Sequence, residues 1–272
     1  MTSTSAGAGD TTRGGQLLYG LELDALTMDE VLERARVSVA SRQRYLIGVV
    51  NAAKIVKMRH DELLRDSLIE ADVLVADGQS VVWASRLLGR PLPERIAGID
   101  LFERLLRSAD REGQSIYLLG AKQDVLDTLV SRIRATYPRL TVVGSRNGYF
   151  SDDESADVAR EIAESGADML FLGITSPKKE IFLARFGDEL GVPLLHGVGG
   201  SFDVMAGVTK RAPASWQNAG MEWAYRLLQE PRRMWKRYLP TNTAFIALTA
   251  RERWRPTAAF TLAQPTQRSH NG

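Results

Sequence analysis

Asp77 directly follows the apolar run 72–76 (DVLVA) and precedes Gly78-Gln79-Ser80-Val81. A carboxylate at the end of a buried run is expected to be partly desolvated, which would suit it to act as a general base. Asp at this place is also a good helix N-cap, and the residues alone leave both roles open. Arg95 stands in Arg95-Ile96-Ala97-Gly98-Ile99-Asp100, behind Pro91 and Pro93, where a constrained turn opens a helix. A guanidinium near that helix start suits a diphosphate, and Asp100 suits the role of cap. Lys178 and Lys179 open a further helix after Pro177. Lysines in a first helical turn oppose the macrodipole, which favours a functional reason for them. Residues 193–195 break into His196-Gly197-Val198-Gly199-Gly200. An apolar run ending in clustered glycines lets backbone amides approach an anion, often a phosphate.

Several familiar chemistries lack their residues. No GxxxxGK[ST] stretch is present, Gly197-Val198-Gly199-Gly200 is not GxGxxG, and no GxSxG elbow occurs. His196 has no second histidine or carboxylate at metal-ligand spacing, so it reads as a satisfied strand-end histidine. The acidic trio Asp152-Asp153-Glu154 trails no buried strand and reads as cap and dipole chemistry. Asp72, Asp168 and Asp188 read as solvated edges or caps. No metal site and no cofactor are expected.

The elements that position these residues are legible as alternating runs. Strands are expected over 20–26, 45–50 (YLIGVV), 72–76, 115–119 (SIYLL), 140–143, 168–172 (DMLFL) and 193–195. A capping box from Thr27 to Glu30 starts a helix, and helical stretches separate most of the runs. That spacing predicts βαβ units: an α/β fold with a Rossmann-like parallel sheet, helices on both faces and a basic helical C-terminal appendage. Asn51, Asp77, Gly120, Gly173 and Gly197 each follow an apolar run directly. In open parallel sheets ligands bind beyond the carboxyl ends of the strands, so the set favours a site on that edge. Taken one at a time, such residues merely turn the chain.

The chain has 272 residues, 44% hydrophobic and 25% charged, with no cysteine. That is ordinary for a globular protein, excludes disulfides and suits a cytoplasmic enzyme. A disordered lead is expected over 1–16, a catalytic core over 17–213, a helical membrane-proximal appendage over 214–250 and a loose tail over 251–272. Residues 226–255 carry eight Lys or Arg against two Glu, a net +6 that leaves −4 on the rest of a chain of net +2. On a 3.6-residue helix Arg226, Arg233 and Arg237 share one stripe, with Leu227, Leu228, Trp235, Tyr238 and Leu239 as apolar neighbours. This is the pattern of an interfacial segment held by anionic phosphates, with a solvated basic face as the plain alternative. A nucleic-acid-binding module would leave the strand-end glycines and the acidic body without a role. A nucleotide sensor without catalysis is the other rival. No run approaches the roughly 20 apolar residues of a spanning helix.

Over about 20–238 the chain resembles the bacterial WecG/TagA/CpsF family of glycosyltransferases. The matching pieces are Asn51 in VVNAAKIV, Ala76-Asp77-Gly78, the stretch from Arg95 to Asp100 with Gly98, and Ile174-Thr175-Ser176-Pro177-Lys178-Lys179-Glu180. GVGGSFDVMAG, Lys210-Arg211-Ala212-Pro213 and the stretch from Met221 to Arg232 complete them in order. The resemblance implies a metal-independent, inverting transferase on the cytoplasmic face of the membrane. It would move a sugar from UDP to a sugar on a polyprenyl diphosphate lipid, for teichoic acid, capsule or exopolysaccharide. Asp77 would deprotonate the acceptor hydroxyl, Arg95 would meet the donor diphosphate, and the appendage would reach the membrane and complete the site. An anionic membrane surface is thus an expected partner, nucleic acid is not, and a homo-oligomer is left open. Two residues depart from the family pattern: Val49 where threonine is common, and Lys179 where glutamine is common. Both exchanges bear on which sugar is accepted more than on the reaction class.

Overall fold

The chain first makes a hairpin, β1 (Gly15–Leu18) and β2 (Leu21–Asp24), where a single strand over 20–26 is expected from sequence. Tyr19 and Gly20 both take positive φ, 57° and 84°, the geometry of a tight two-residue hairpin turn. Gly15 and Gln16 thus belong to a strand and not to a disordered lead. The computed structural model describes residues 14–213, 215–216, 224–225 and 231–262.

Six further strands form one parallel sheet: β3 (Tyr45–Val50), β4 (Val73–Ala76), β5 (Ser115–Gly120), β6 (Thr141–Arg146), β7 (Met169–Gly173) and β8 (Leu194–Gly197). Their spatial order is β4-β3-β8-β7-β5-β6. β6 runs to Arg146, past the 140–143 expected from its apolar run, because on this edge strand only alternate residues are partly covered. The helices among the described residues are α1 (Met28–Ser41), α2 (Ala52–Lys57), α3 (Glu62–Ile69), α4 (Gln79–Leu87), α5 (Gly98–Glu112), α6 (Gln123–Thr136), α7 (Ser155–Ser165), α8 (Lys178–Phe186), α9 (Ser201–Met205) and α10 (Pro231–Trp254). The capping box is formed: Glu30 N donates to Thr27 Oγ1 while Thr27 N donates to Glu30.

Period-two alternation divides the core between the two faces of the sheet. Ile47, Val49, Val73, Val75, Ile116, Leu118 and Phe171 pack on one side with α1, α5 and α6. Leu46, Leu119, Leu170, Leu172 and Leu195 pack on the other with α7 and α8. Val50, Leu74 and Ala76 join α2, α3, α4 and the hairpin on that second side. Asp72 and Asp168, expected as solvated edges or caps, are partly exposed residues that stand just before a strand. Asp72 accepts from Leu46 N at 2.7 Å and Asp168 from Ser115 N at 2.8 Å, so each satisfies an amide at the start of a neighbouring strand.

α10 runs through Pro240 without interruption, and Phe245 on its inner face is buried with the α2 cluster. Pro231 starts this helix. The chain beyond is not a loose tail as far as it is described. Glu252, only 4% exposed, accepts from Tyr19 N at 3.2 Å and from Thr257 N and Oγ1 at 3.0 and 2.7 Å. Phe260 N donates to Gly20 O at 2.8 Å. A buried carboxylate that ties three donors is costly to remove, because the donors are left without partners. Glu252→Ala is expected to destabilise the fold by about 2–3 kcal/mol, lowering the melting temperature by roughly 5 °C. Thermal unfolding followed by circular dichroism checks this. An unchanged midpoint would show that the C-terminal helix is not anchored through this contact.

Candidate active site

The carboxyl ends of β4, β3 and β8 stand side by side, and the chemistry-bearing residues collect there. Val50 pairs with Ala76, so Asn51 and Asp77 leave the sheet together. Asn51 is the N-cap of α2: its Oδ1 accepts from Lys54 N at 3.1 Å. Its Nδ2 lies 3.5 Å from Asp77 Oδ2. Asp77 is not the cap of α4. That position belongs to Gly78, with no side-chain bond to the helix amides. Gly78 also lets the chain pass Asn51, since a Cβ there would stand 3.2 Å from the Asn51 Cβ.

The loop before α5 follows the end of β4. Ile96 N donates to Ala76 O at 2.8 Å, and Gly98 N donates to Asp77 Oδ1 at 2.9 Å. One carboxylate oxygen is therefore fixed by a backbone amide, while the other faces Asn51 with only a long contact. Asp100 does not cap α5, which begins without a side-chain cap. It pairs instead with Arg95 at 3.9 Å and with Arg211 at 2.5 Å. Arg211, quoted in the sequence only as part of a motif, is thus brought beside the expected diphosphate residue by the fold.

His196 is fully buried, with Nδ1 3.3 Å from Ile47 O and Nε2 3.5 Å from Gly98 O. Burial pushes its pKa down to about 4, so the ring is neutral near pH 7. It stands behind the Gly98 peptide that orients Asp77, and the neutral ring can donate to only one of these two carbonyls.

The helix after β7 divides its first turn between two tasks. Lys178 Nζ donates to Gly148 O at 3.0 Å and to Phe150 O, and it lies over the Phe150 ring at 3.5 Å. Its ammonium is committed to the loop after β6. Lys179 turns the other way, across Gly197, where a Cβ would stand 3.0 Å from its Cδ. Its Nζ is 3.1 Å from Glu180 Oε1, which also accepts from Ser176 Oγ at 2.8 Å. Glu180 is 2% exposed. Burial pushes its pKa up, but Lys179 and the Ser176 hydrogen bond outweigh this and hold it below the ordinary value.

Lys54, which sequence reasoning missed, lies in the first turn of α2 and reaches back to donate to Val49 O at 2.7 Å. The residue keeps some exposed surface, yet burial of its ammonium, reinforced by the Lys179 charge, brings its pKa down to about 8. No local signal marks it: in the six-residue α2 it stands with Lys57 among the basic residues of the last turn, which the dipole favours, and only folding brings its ammonium to Val49 O.

Gly120 and Gly173 meet at the next strand ends; a Cβ on Gly120 would stand 2.4 Å from the Gly173 carbonyl carbon. They permit close backbone passage, and Gly120 is separated from β3 by the two strands β8 and β7. Gly199 and Gly200 are exposed, with open space where a Cβ would be, and Gly199 takes φ 53°. Arg226 lies outside the described residues, and for Arg233 and Arg237 only the helical backbone of α10 is described. Among the described residues no three His, Asp or Glu converge as a metal site would require, and no helix is long and apolar enough to cross a membrane.

The arrangement is an oriented carboxylate at a strand end, with partly buried cations and an open glycine loop at the same edge of the sheet. The model of the glycosyl transferase WecG/TagA/CpsF family matches residues 16–259, and the chain belongs to that family.

Proposed function

We propose that the chain moves a sugar, N-acetylmannosamine-like or another hexose or uronic acid, from a UDP donor to a sugar on a polyprenyl diphosphate. The reaction inverts the anomeric centre, uses no metal and takes place on the inner face of the cell membrane. Family membership makes the chain a glycosyltransferase of cell-surface polysaccharide synthesis, with a sugar donor and a sugar acceptor as substrates. The finer reading is supported above all by the setting of Asp77. Gly98 N holds Oδ1, and Oδ2 has only the 3.5 Å contact with Asn51, which leaves it capacity to accept from an acceptor hydroxyl.

In the proposed step Asp77 takes the hydroxyl proton as the acceptor oxygen attacks the anomeric carbon of the donor. The bond from that carbon to the β-phosphate oxygen breaks, and its electron pair leaves with UDP. A positioned base of this kind contributes about 10²–10⁴-fold. Arg95 and the open backbone of residues 197–200 would meet the diphosphate, with Arg211 alongside through Asp100.

A thermal-shift series with UDP and UDP-sugars tests the donor class, because a ligand at 100 times its Kd stabilises the folded state by about 2.7 kcal/mol. UDP is expected to raise the melting temperature. Transfer is expected to survive EDTA, since protein cations supply the charge a metal would otherwise bring. Activity abolished by chelator and restored by Mn²⁺ would overturn the metal-independent mechanism.

A further inference from the structure

His196 sits on β8, between β3 and β7, opposite Ile47 on one side and Phe171 on the other. Leu194 and Val198, two residues to either side, belong to the apolar layer under α5. The Phe171 ring stands nearly perpendicular to the imidazole, 6.5 Å between centroids. The histidine is 0% exposed. A polar side chain in such a layer costs free energy unless it is hydrogen-bonded, so the reason for this one lies in its bonds.

Ile47 O has another source of donors. Leu46 O and Val50 O accept from Asp72 N and Asp77 N on the β4 side, and successive carbonyls of a strand point to opposite edges. Ile47 O therefore faces the ladder shared with β8, where strand amides are the donors. Gly98 O lies off the sheet, at the first residue of α5, 3.5 Å from Nε2. A neutral imidazole holds one proton. With that proton on Nε2 the contact is attractive; with it on Nδ1, a nitrogen lone pair faces the carbonyl oxygen.

Gly98 is the joint of this arrangement. Its N–H donates to Asp77 Oδ1 at 2.9 Å and its C=O faces His196, so the peptide planes on both sides of one Cα are held. Glycine has the widest backbone freedom of any residue, and α5 starts without a side-chain cap. Loosening the hold on the C=O frees rotation about this Cα, which swings the N–H away from the carboxylate.

We propose that His196, as the Nε2–H tautomer, is a positioning residue for Asp77: it holds Gly98 O, and so keeps the Gly98 N–H on Oδ1. It touches no substrate and transfers no proton. Burial lowers its pKa to about 4, so near pH 7 the ring is a neutral donor of one proton. The role rests on the reading of Asp77 as base and adds the buried residue that keeps it aimed.

Two measurements need no substrate. In wild type carrying isotope-labelled histidine, His196, one of three histidines, is expected to show Nε2 protonated and Nδ1 bare in a spectrum correlating ring protons with ring nitrogens. A proton on Nδ1 would overturn the proposal, and this readout does not depend on any variant folding. The second is the Gly98 amide resonance in His196→Gln and His196→Asn. A glutamine amide nitrogen stands near the place of Nε2 and reaches Gly98 O; an asparagine amide nitrogen stands near that of Nδ1 and falls short. The Gly98 signal is expected to keep its wild-type position in the Gln variant. In the Asn variant it moves toward its position in Asp77→Ala, where the bond is absent.

Turnover of a polyprenyl-linked acceptor, with the UDP-sugar that the thermal-shift series selects, is the third readout. His196→Asn is expected to lower kcat by about tenfold to a hundredfold while KM for the donor is unchanged, and His196→Gln to restore it to within about threefold. Wild-type kcat in His196→Asn would end the positioning role. Equal losses in both variants, following their melting temperatures, would reduce His196 to packing alone and end it too. Turnover retained by Asp77→Asn is a separate result, which removes the base reading and the positioning role together, whatever the two spectra show.

Discussion

Asp77→Asn is expected to fold normally, bind UDP as wild type does, and lose transfer activity by about 10²–10⁴-fold. Asparagine has nearly the same shape, and its amide oxygen can still accept from Gly98 N, now 2.9 Å from Asp77 Oδ1. What disappears is the carboxylate oxygen proposed to take the acceptor proton. The competing role, helix cap, is removed by the structure, because Gly78 occupies that position without a side-chain bond. A melting curve and UDP titration establish the intact fold, and transfer to a lipid-linked acceptor gives the rate. Turnover close to wild type would end the assignment of Asp77 as base.

The second large effect concerns the basic segment. Arg226/Arg233/Arg237→Ala is expected to remain folded and to bind UDP, yet to fail with anionic vesicles and with a polyprenyl-linked acceptor. Each basic residue near an anionic leaflet contributes about 1 kcal/mol, so three together account for roughly two orders of magnitude in binding. Residues 233 and 237 are one turn apart in α10, whose inner face is fixed to the body by Phe245, Thr249 and Glu252. The opposite face of the same helix leaves Ile246 68% and Trp254 85% exposed, on a stripe with Ala250 between them. Exposed apolar residues on a helix that also carries basic ones suit an interface with lipid. The loss should be greatest at low salt and shrink as salt screens the charges over about 10 Å at 0.1 M. Cosedimentation of the triple variant at wild-type level in low salt would return the basic residues to the role of a solvated face.

The order of strands and helices is local information, and the sequence carried it. Continuous apolar runs such as YLIGVV and DMLFL signal strands buried on both faces, and Asn51, Asp77 and Gly197 mark their carboxyl ends because polar or glycine residues interrupt those runs. The Thr27–Glu30 cap was equally legible, since its partners are three residues apart. The hairpin was missed because β1 and β2 are four residues each and turn at Tyr19-Gly20, a pair outside the usual turn signals.

Which strand lies beside which was decided only by the tertiary structure. The order β4-β3-β8-β7-β5-β6 sets ends from distant parts of the chain side by side, and nothing local encodes that adjacency. The direction of each side chain was likewise a matter of packing. Lys178 and Lys179 are adjacent in sequence, yet a helix turns neighbours about 100° apart, so one ties a loop and the other enters the crevice. Asp100 met Arg211 across 111 positions of chain instead of capping its own helix. Lys54 acquired its depressed pKa only when folding withdrew water from its ammonium and set Lys179 opposite. Residue types and their places at strand ends were therefore written locally, whereas desolvation and charge pairing are long-range consequences of burial, and burial exists only once the sheet is assembled.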